Sequence, residues 1–166
     1  MRVRDVMTKT PVTCNPDTNA SVATELMFKN DCGTLPVVKD GDILAGIVTD
    51  RDLLVAVATR NIRPSELCVE EVMHSPVVCC KPSDDVDSVL STMGNLQVRR
   101  LPVVDESNQL VGVISVNDII LRSDRKPTKD SAATYEDVML ALKGICQHSQ
   151  TQIRRSSEVR VPAAAV

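Results

Sequence analysis

Aromatic side chains are almost absent from this chain of 166 residues, which has one phenylalanine, one tyrosine and no tryptophan. Because 43% of the residues are nonetheless hydrophobic, the protein core must be aliphatic. The scarcity of aromatic rings also removes the stacking platforms on which proteins bind single-stranded nucleic acids. A net charge of −3 supplies no basic field that would attract a phosphate backbone. The composition therefore predicts no nucleic-acid partner.

Long hydrophobic runs are missing as well. The longest apolar stretch, residues 53–58, is much shorter than a helix that crosses a bilayer. No apolar run follows Met1, as a signal peptide would require. We therefore expect a cytoplasmic protein with no membrane partner. In that compartment the six cysteines are expected to remain thiols rather than to form disulfides.

The motifs of common enzyme classes are also absent. The sequence contains no Gly-x-Ser-x-Gly, Walker or dinucleotide-binding glycine pattern, and its only histidines are His74 and His148. Cys79, Cys80 and His74 are the one conceivable metal-binding group, but adjacent residues of a strand point to opposite faces. We predict that the protein is not an enzyme and has no metal site.

What the chain does contain is an internal repeat, since residues 35–52 return 66 positions later as residues 101–118. Self-similarity at a fixed spacing indicates one structural unit that is built twice. We place the first repeat at residues 6–60, a linker at residues 61–68 and the second repeat at residues 69–122. The shared residues are Leu35, Pro36, Val37, Val38, Leu44, Gly46 and Asp52 in the first copy, and Leu101, Pro102, Val103, Val104, Leu110, Gly112 and Asp118 in the second.

Each repeat has the pattern β-α-β-β-α. One such unit is too small to bury both faces of its strands and helices, so the two should pack as a single α/β module with pseudo-two-fold symmetry and a cleft between the sheets. Residues 1–10 are expected to form a short helical lead-in. The elements predicted for the first repeat are a strand at residues 11–14, a helix from Asp17 or Thr18 to about Asn30, strands at residues 35–38 and 43–48, and a helix at residues 50–60.

The region after the repeats differs from them in pattern. Residues 131–148 predict a C-terminal helix, because Val138, Leu142 and Ile145 form an apolar stripe at helical spacing. Residues 149–166 show no hydrophobic periodicity. We expect that tail to be flexible.

A Thr/Ser-x-x-Asp motif stands in both repeats where a strand turns into a helix: Thr49 with Asp52, and Ser115 with Asp118. Such a motif can be a capping box and nothing more. A carboxylate can also accept both hydroxyls of a ribose, while a hydroxyl and free backbone N–H groups at a helix start suit a phosphate. Because the motif occurs twice at the edge of the expected cleft, we favour a ligand-binding role, with which capping is compatible.

Together, Leu-Pro-Val-Val and the ends Gly-Ile-Val-Thr-Asp-Arg-Asp52 and Gly-Val-Ile-Ser-Val-Asn-Asp118 resemble a tandem pair of CBS domains, the Bateman module. The resemblance implies a regulatory module that binds an adenosine-containing ligand between its repeats. AMP, ADP or ATP would be the most frequent ligands, with NAD and S-adenosylmethionine as others. It further implies a homodimer and a regulated partner protein, whose identity the sequence does not indicate.

The same resemblance implies roles for further residues. Thr10 and Ser75 would meet the base or sugar, and Arg99 and Arg100 would contact phosphates, although an arginine pair can equally be surface charge. Gly33 and Thr34 replace the arginines in the first repeat, so the two sites should differ. The predicted aliphatic walls for the adenine are Leu35, Ile47, Leu101 and Val113.

Two other functions remain open from the sequence. One is a ligand-free scaffold that docks a partner protein through its helix faces, in which the Thr/Ser-x-x-Asp motifs are only caps. The other, which has less support, is a thiol-based redox sensor.

Overall fold

The computed structural model describes residues 1–126 and 131–147, and the predicted mixed α/β fold with two repeats is confirmed. Short 3₁₀ turns lie at Val3–Asp5, Pro64–Glu66 and Val69–Glu71. The strands and helices are β1 (Thr8–Lys9), α1 (Ala20–Lys29), β2 (Thr34–Lys39), β3 (Ile43–Thr49), α2 (Asp50–Arg60), α3 (Val86–Leu96), β4 (Arg100–Val104), β5 (Leu110–Ser115), α4 (Val116–Ile120) and α5 (Tyr135–Cys146).

The strands form two equivalent sheets. In the first sheet β2 and β3 pair as an antiparallel hairpin, and in the second β4 and β5 do the same with β1 added antiparallel to β5. The strand predicted at residues 11–14 is reduced to a single parallel bridge between Cys14 and Val37, which Cys80 and Val103 match in the second sheet. Prolines at residues 11 and 16 lack the N–H that a longer ladder needs.

Two lead-in segments, residues 3–9 and residues 69–75, cross to the opposite repeat. Backbone N–H groups of Val3 and Arg4 donate to carbonyls at residues 84 and 82, and those of Val69 and Glu70 donate to carbonyls at residues 18 and 16. These four bonds are related by the same 66-residue spacing as the sequence repeat. The structural halves therefore differ from the predicted repeats, because each takes its lead-in from the other.

The exchange also completes both hydrophobic cores. Val3 is fully buried among α3, β4, β5 and α4, while Val69 is fully buried among α1, β2, β3 and α2. Burying one valine stabilises a fold by about 1.5–3 kcal/mol relative to leaving it exposed. Neither half has its complete core without a segment of the other, so the two repeats fold as one module.

The N-cap of helix α1 lies one or two residues later than the sequence predicts. Asn19 caps it by accepting a 3.0 Å hydrogen bond from the N–H of Val22. The predicted cap Thr18 instead accepts from the N–H of Asn15. The prediction was wrong because Asp17, Thr18 and Asn19 are all competent caps, and local propensity does not rank them.

The last helix of the second repeat is short, and α5 packs beside it. Helix α4 has 5 residues whereas its counterpart α2 has 11. Helix α5 crosses α3 so closely that a Cβ on Gly144 would lie 2.9 Å from the carbonyl oxygen of Gly94. Phe28 occupies the position equivalent to Gly94 in the first repeat, so α5 can dock only on the second. The predicted tail, residues 149–166, and His148 lie outside the described residues.

Candidate functional site

Each sheet packs one face against its hydrophobic core, and the side chains of its opposite face point away from that core. In the first sheet Leu35 and Val48 are a cross-strand pair, and both side chains are fully buried in the core. Because side chains alternate along a strand, Ile47 points to the opposite face, where its cross-strand partner is Pro36. Ile47 is only half-buried. It is therefore available to a ligand on that face.

The second sheet repeats this arrangement and corrects a prediction. Leu101 pairs with Ile114 in the core, while Val113 pairs with Pro102 on the opposite face. The exposed fractions of Leu35 and Leu101 are 0% and 2%, so neither leucine can be a wall of a ligand site. Ile47 and Val113 lie on the opposite faces and are partly exposed, whereas their cross-strand partners Pro36 and Pro102 are buried. Strand alternation in Leu-Pro-Val-Val could have placed the leucines in the cores from the sequence.

At the end of each face, next to the first turn of the following helix, the residues are polar. Thr34 lies opposite Thr49 in register, and Arg100 lies opposite Ser115. The Arg100 guanidinium donates to the hydroxyl of Thr34 over 3.4 Å and so connects the two sheets. We call the two surfaces the first site face (Thr34, Pro36, Ile47, Thr49, Asp52 and His74) and the second site face (Thr8, Arg100, Pro102, Val113, Ser115 and Asp118).

Arg99 and Arg100, which we predicted to act as a pair, differ in position because side chains alternate along a strand. Arg100 is half-buried at the start of β4 and belongs to the second site face. Arg99 precedes the strand and is exposed, and its carbonyl accepts the N–H of Val116. Neighbouring residues point to opposite faces of a strand. The geometry therefore favours Arg100 alone as a residue of the site.

The exchanged lead-ins supply the outer edge of each site face. Thr8 of β1 lies opposite Val113, and His74 forms a bridge with Ile47. Thr10 and Ser75, which follow them, are exposed. Thr10 comes directly after β1, which pairs with the sheet that leads to Asp118, and Ser75 comes directly after the bridge to the sheet that leads to Asp52. Each therefore lies next to the sheet of the repeat to which it does not belong.

Both Thr/Ser-x-x-Asp motifs are capping boxes. Asp118 Oδ2 accepts from the backbone N–H of Ser115 at 2.8 Å and from its hydroxyl at 2.6 Å, and that hydroxyl accepts the N–H of Asp118 at 3.2 Å. The equivalent three bonds between Thr49 and Asp52 measure 2.9, 2.6 and 3.2 Å. Since both hydroxyls already donate and accept within the box, the phosphate role that we predicted for them is not supported.

Capping uses only one oxygen of each aspartate. Within the described part of the chain, Oδ1 of Asp118 has no hydrogen-bond partner. A carboxylate can accept about four hydrogen bonds. Asp118 therefore keeps acceptor capacity beside the apolar strip of the second site face.

A third capping box shows that the motif alone does not mark a site. Thr134 and Asp137 form the same bonds at the start of α5, away from both sheets. The hydrogen bonds from Thr134 lower the pKa of Asp137. What distinguishes Asp52 and Asp118 is the strand face beside them, not their local sequence.

The first site face contains a contact that the sequence analysis did not identify. His74 Nε2 lies 3.1 Å from Oδ1 of Asp52, the oxygen that capping leaves open. Burial raises the pKa of Asp52, but hydrogen bonds from Thr49 and His74 outweigh it, so the net shift is downward. The repeat alignment pairs His74 with Thr8. The strand register that places His74 opposite Ile47 is the feature from which this contact could have been inferred.

The cysteines, possible metal ligands and helices of the described residues bear on the other functions considered from the sequence. Burial raises the pKa of the Cys14 thiol to about 11 and that of Cys80 to about 12, so neither is a reactive thiolate near neutral pH. No cluster of His, Cys, Asp and Glu among the described residues could hold a metal ion. None of the described helices has the length and apolar character to span a bilayer.

A separate groove lies between two helices. A groove of about 450 Å³ runs between α3 and α5, lined by residues such as Leu90, Gly94, Leu140 and Gly144. None of the residues of the two site faces lines it. We place the candidate site on the sheets because that is where open acceptors, apolar strips and a cation meet.

Comparisons with known proteins agree with this organisation. The CBS-domain family model matches residues 3–59 and 69–124. CBS domain-containing protein YhcV of Bacillus subtilis is 33% identical over 132 residues, which cover 80% of this chain and 92% of YhcV. Inosine-5'-monophosphate dehydrogenase of Methanocaldococcus jannaschii is 30% identical over 98% of this chain, but the match covers only 31% of that enzyme.

Two solved structures share the fold. The CBS domain pair of protein MJ0100, in complex with 5'-methylthioadenosine and S-adenosyl-L-methionine, has a TM-score of 0.66 at 27% identity and covers 73% of this chain and 94% of that one. CBSX2 in complex with AMP has a TM-score of 0.64 at 25% identity and covers 72% of this chain and 93% of that one. With two family matches that together span most of its length, this chain belongs to the CBS-domain family as a tandem CBS pair.

Proposed function

We propose that the chain is a regulatory sensor that binds an adenosine-containing ligand on its site faces and has no catalytic activity of its own. The observation that carries the proposal is the open Oδ1 of Asp118, whose capping partner Ser115 lies opposite Arg100 and on the same strand face as the partly exposed Val113. These groups match the three parts of a nucleotide: a carboxylate for the ribose diol, an aliphatic strip for the adenine and a guanidinium for a phosphate. The adenosine ligands held by MJ0100 and CBSX2 support the same ligand class.

The ligand is AMP, ADP or ATP in this proposal, with NAD and S-adenosylmethionine as the other candidates. Arg100 favours a phosphorylated ligand, because a guanidinium recognises phosphate through charge-assisted hydrogen bonds. Ligand binding between the sheets would alter how the two repeats pack and so change the surface that a regulated partner protein recognises. The cytoplasmic location stays a prediction.

A homodimer is part of the proposal, and the helix faces indicate where it forms. Helix α5 covers α3 of the second repeat, while the equivalent α1 of the first repeat carries Phe28, whose exposed fraction is 87%. Leu54 and Val55 on α2 are exposed as well. An apolar surface of this kind is typical of an interaction site. It also favours the alternative function, a scaffold that docks another protein on the same face.

Asp118→Asn tests the ribose contact, and Asp137→Asn is its matched control. Both variants weaken a capping box, so each should lower the free energy of unfolding by about 0.5–1.5 kcal/mol. Only Asp118→Asn should also weaken AMP binding, by roughly 30- to 150-fold, because an amide nitrogen cannot accept a ribose hydroxyl. Isothermal titration calorimetry on protein freed of bound nucleotide measures the affinity. Unchanged affinity in both Asp118→Asn and Asp52→Asn would leave these motifs as caps alone and favour the scaffold.

Arg100→Ala tests the phosphate contact, with its neighbour Arg99→Ala as the control. Loss of a charged hydrogen bond should weaken AMP roughly 10- to 150-fold while adenosine is little affected. The salt dependence of AMP binding should also become flatter. Arg99→Ala should change neither quantity. Equal losses for AMP and adenosine in Arg100→Ala would place that guanidinium away from the phosphate.

Light scattering tests the assembly. We expect a mass twice the 18.0 kDa of one chain at micromolar concentration. Phe28→Ser should shift the protein toward the monomer, because it removes the most exposed apolar side chain of the proposed interface. Leu140→Ser, at an exposed apolar position on α5, should not. A monomer mass throughout a dilution series of the unmodified chain would rule out the dimer.

A further inference from the structure

The two site faces differ at the edge that the exchanged lead-ins supply. His74 on the first face is held by two backbone hydrogen bonds to Ile47, of 2.8 and 3.1 Å. Thr8 occupies the equivalent place on the second face, opposite Val113. No hydrogen bond joins Thr8 to Asp118 within the described residues. The two faces therefore have the same backbone arrangement at this edge and differ in the side chain, histidine in one and threonine in the other.

The imidazole of His74 occupies the acceptor that a ribose would use. An ionised carboxylate only accepts hydrogen bonds, so Nε2–H of His74 must donate to Oδ1 of Asp52 over the 3.1 Å between them. Oδ2 already accepts two bonds from Thr49. Of the about four hydrogen bonds that a carboxylate can accept, Asp52 already accepts three, so a diol with two hydroxyls can bind fully only if the ring gives up its bond. At Asp118 the corresponding oxygen is open.

A second difference between the faces also favours ligand binding on the second one. The phosphate-matching guanidinium of Arg100 lies on the second face, and the residue at the equivalent register position of the first face is Thr34. The contact of Arg100 with Thr34 spans 3.4 Å, which is a weak bond that a phosphate can replace. The first face thus supplies no cation of its own in that position, although Arg100 reaches its Thr34, and its carboxylate has one acceptor position fewer than that of Asp118.

We propose that His74 is a built-in competitor that makes the two site faces unequal, so that the ligand fills the second face at concentrations that leave the first one empty. The proposal rests on the proposed function, since it needs adenosine ligands to bind through Asp118 and Asp52. The exposed fraction of the His74 side chain is 68%, so the ring can swing into solvent when a ligand takes its place. His74 is thereby a residue that determines site occupancy and not a ligand contact.

Replacing His74 by threonine and Thr8 by histidine tests the proposal. AMP and S-adenosylmethionine are titrated into the full chain, into His74→Thr and into Thr8→His, with each variant also made in the Asp118→Asn background to isolate the first face. We expect the unmodified chain to bind one equivalent tightly. In the Asp118→Asn background, His74→Thr should strengthen binding at the first face roughly tenfold, the size of one charged hydrogen bond. Thr8→His should weaken the second face by a similar factor.

The outcomes separate the two proposals. If His74→Thr leaves the affinity of the first face unchanged, or weakens it as loss of a direct ligand contact would, the competitor role is overturned while nucleotide sensing stands. Equal losses for Asp52→Asn and Asp118→Asn in the otherwise unmodified chain would likewise overturn it, because the faces would then be equivalent. If neither these two probes nor ADP, ATP or NAD binds the unmodified chain or His74→Thr, the proposed function fails and the competitor role fails with it. Thermal denaturation of each variant confirms that the exposed substitutions leave the fold intact.

Discussion

Residues 3–9 and 69–75 each pack on the sheet of the opposite repeat, and the rest of the module depends on this exchange. Val3 and Val69 become fully buried in cores that otherwise belong to the other half. The same segments then run along the outer edges of β5 and β3 through backbone hydrogen bonds. One structural device therefore completes the cores and also builds the edges of both site faces. It is the reason why a substitution in one repeat can alter the site of the other.

The exchange of lead-in segments offers a physical route by which a ligand on one sheet could affect the other repeat. A ligand on the second site face would touch side chains from β4 and β5 and lie beside a lead-in that belongs to the first repeat. Arg100 and Thr34 add a direct contact between the two sheets. A phosphate that recruited Arg100 would remove that contact. A ligand at the proposed site would thus be connected to the relative packing of the repeats through the contact of Arg100 with Thr34.

Much of the fold could be predicted from the sequence because two independent copies of one pattern had to agree. The 66-residue spacing paired the hairpins and the capping motifs correctly. The exchange of lead-ins was not predictable in this way, since Val3 and Val69 are apolar at equivalent positions and either arrangement would bury them. Pattern alone shows that a valine is buried and does not show in which half.

The site was predicted less completely, for two physical reasons. Leu35 and Leu101 were assigned to ligand walls although strand alternation places them in the cores and leaves Pro36 and Pro102 beside Ile47 and Val113. The contact of His74 with Asp52 joins residues 22 apart through a bridge between segments, which no local motif encodes. Thr134 and Asp137, finally, form the same capping box away from both site faces, beside the groove between α3 and α5, so a three-residue spacing alone does not identify the site.

A crystal structure of the chain grown with AMP would show which atoms hold the nucleotide. We expect the ribose hydroxyls on Oδ1 of Asp118, the adenine against Val113 and the phosphate near Arg100. AMP bound in the groove between α3 and α5, or with its ribose on neither Asp118 nor Asp52, would contradict this expectation.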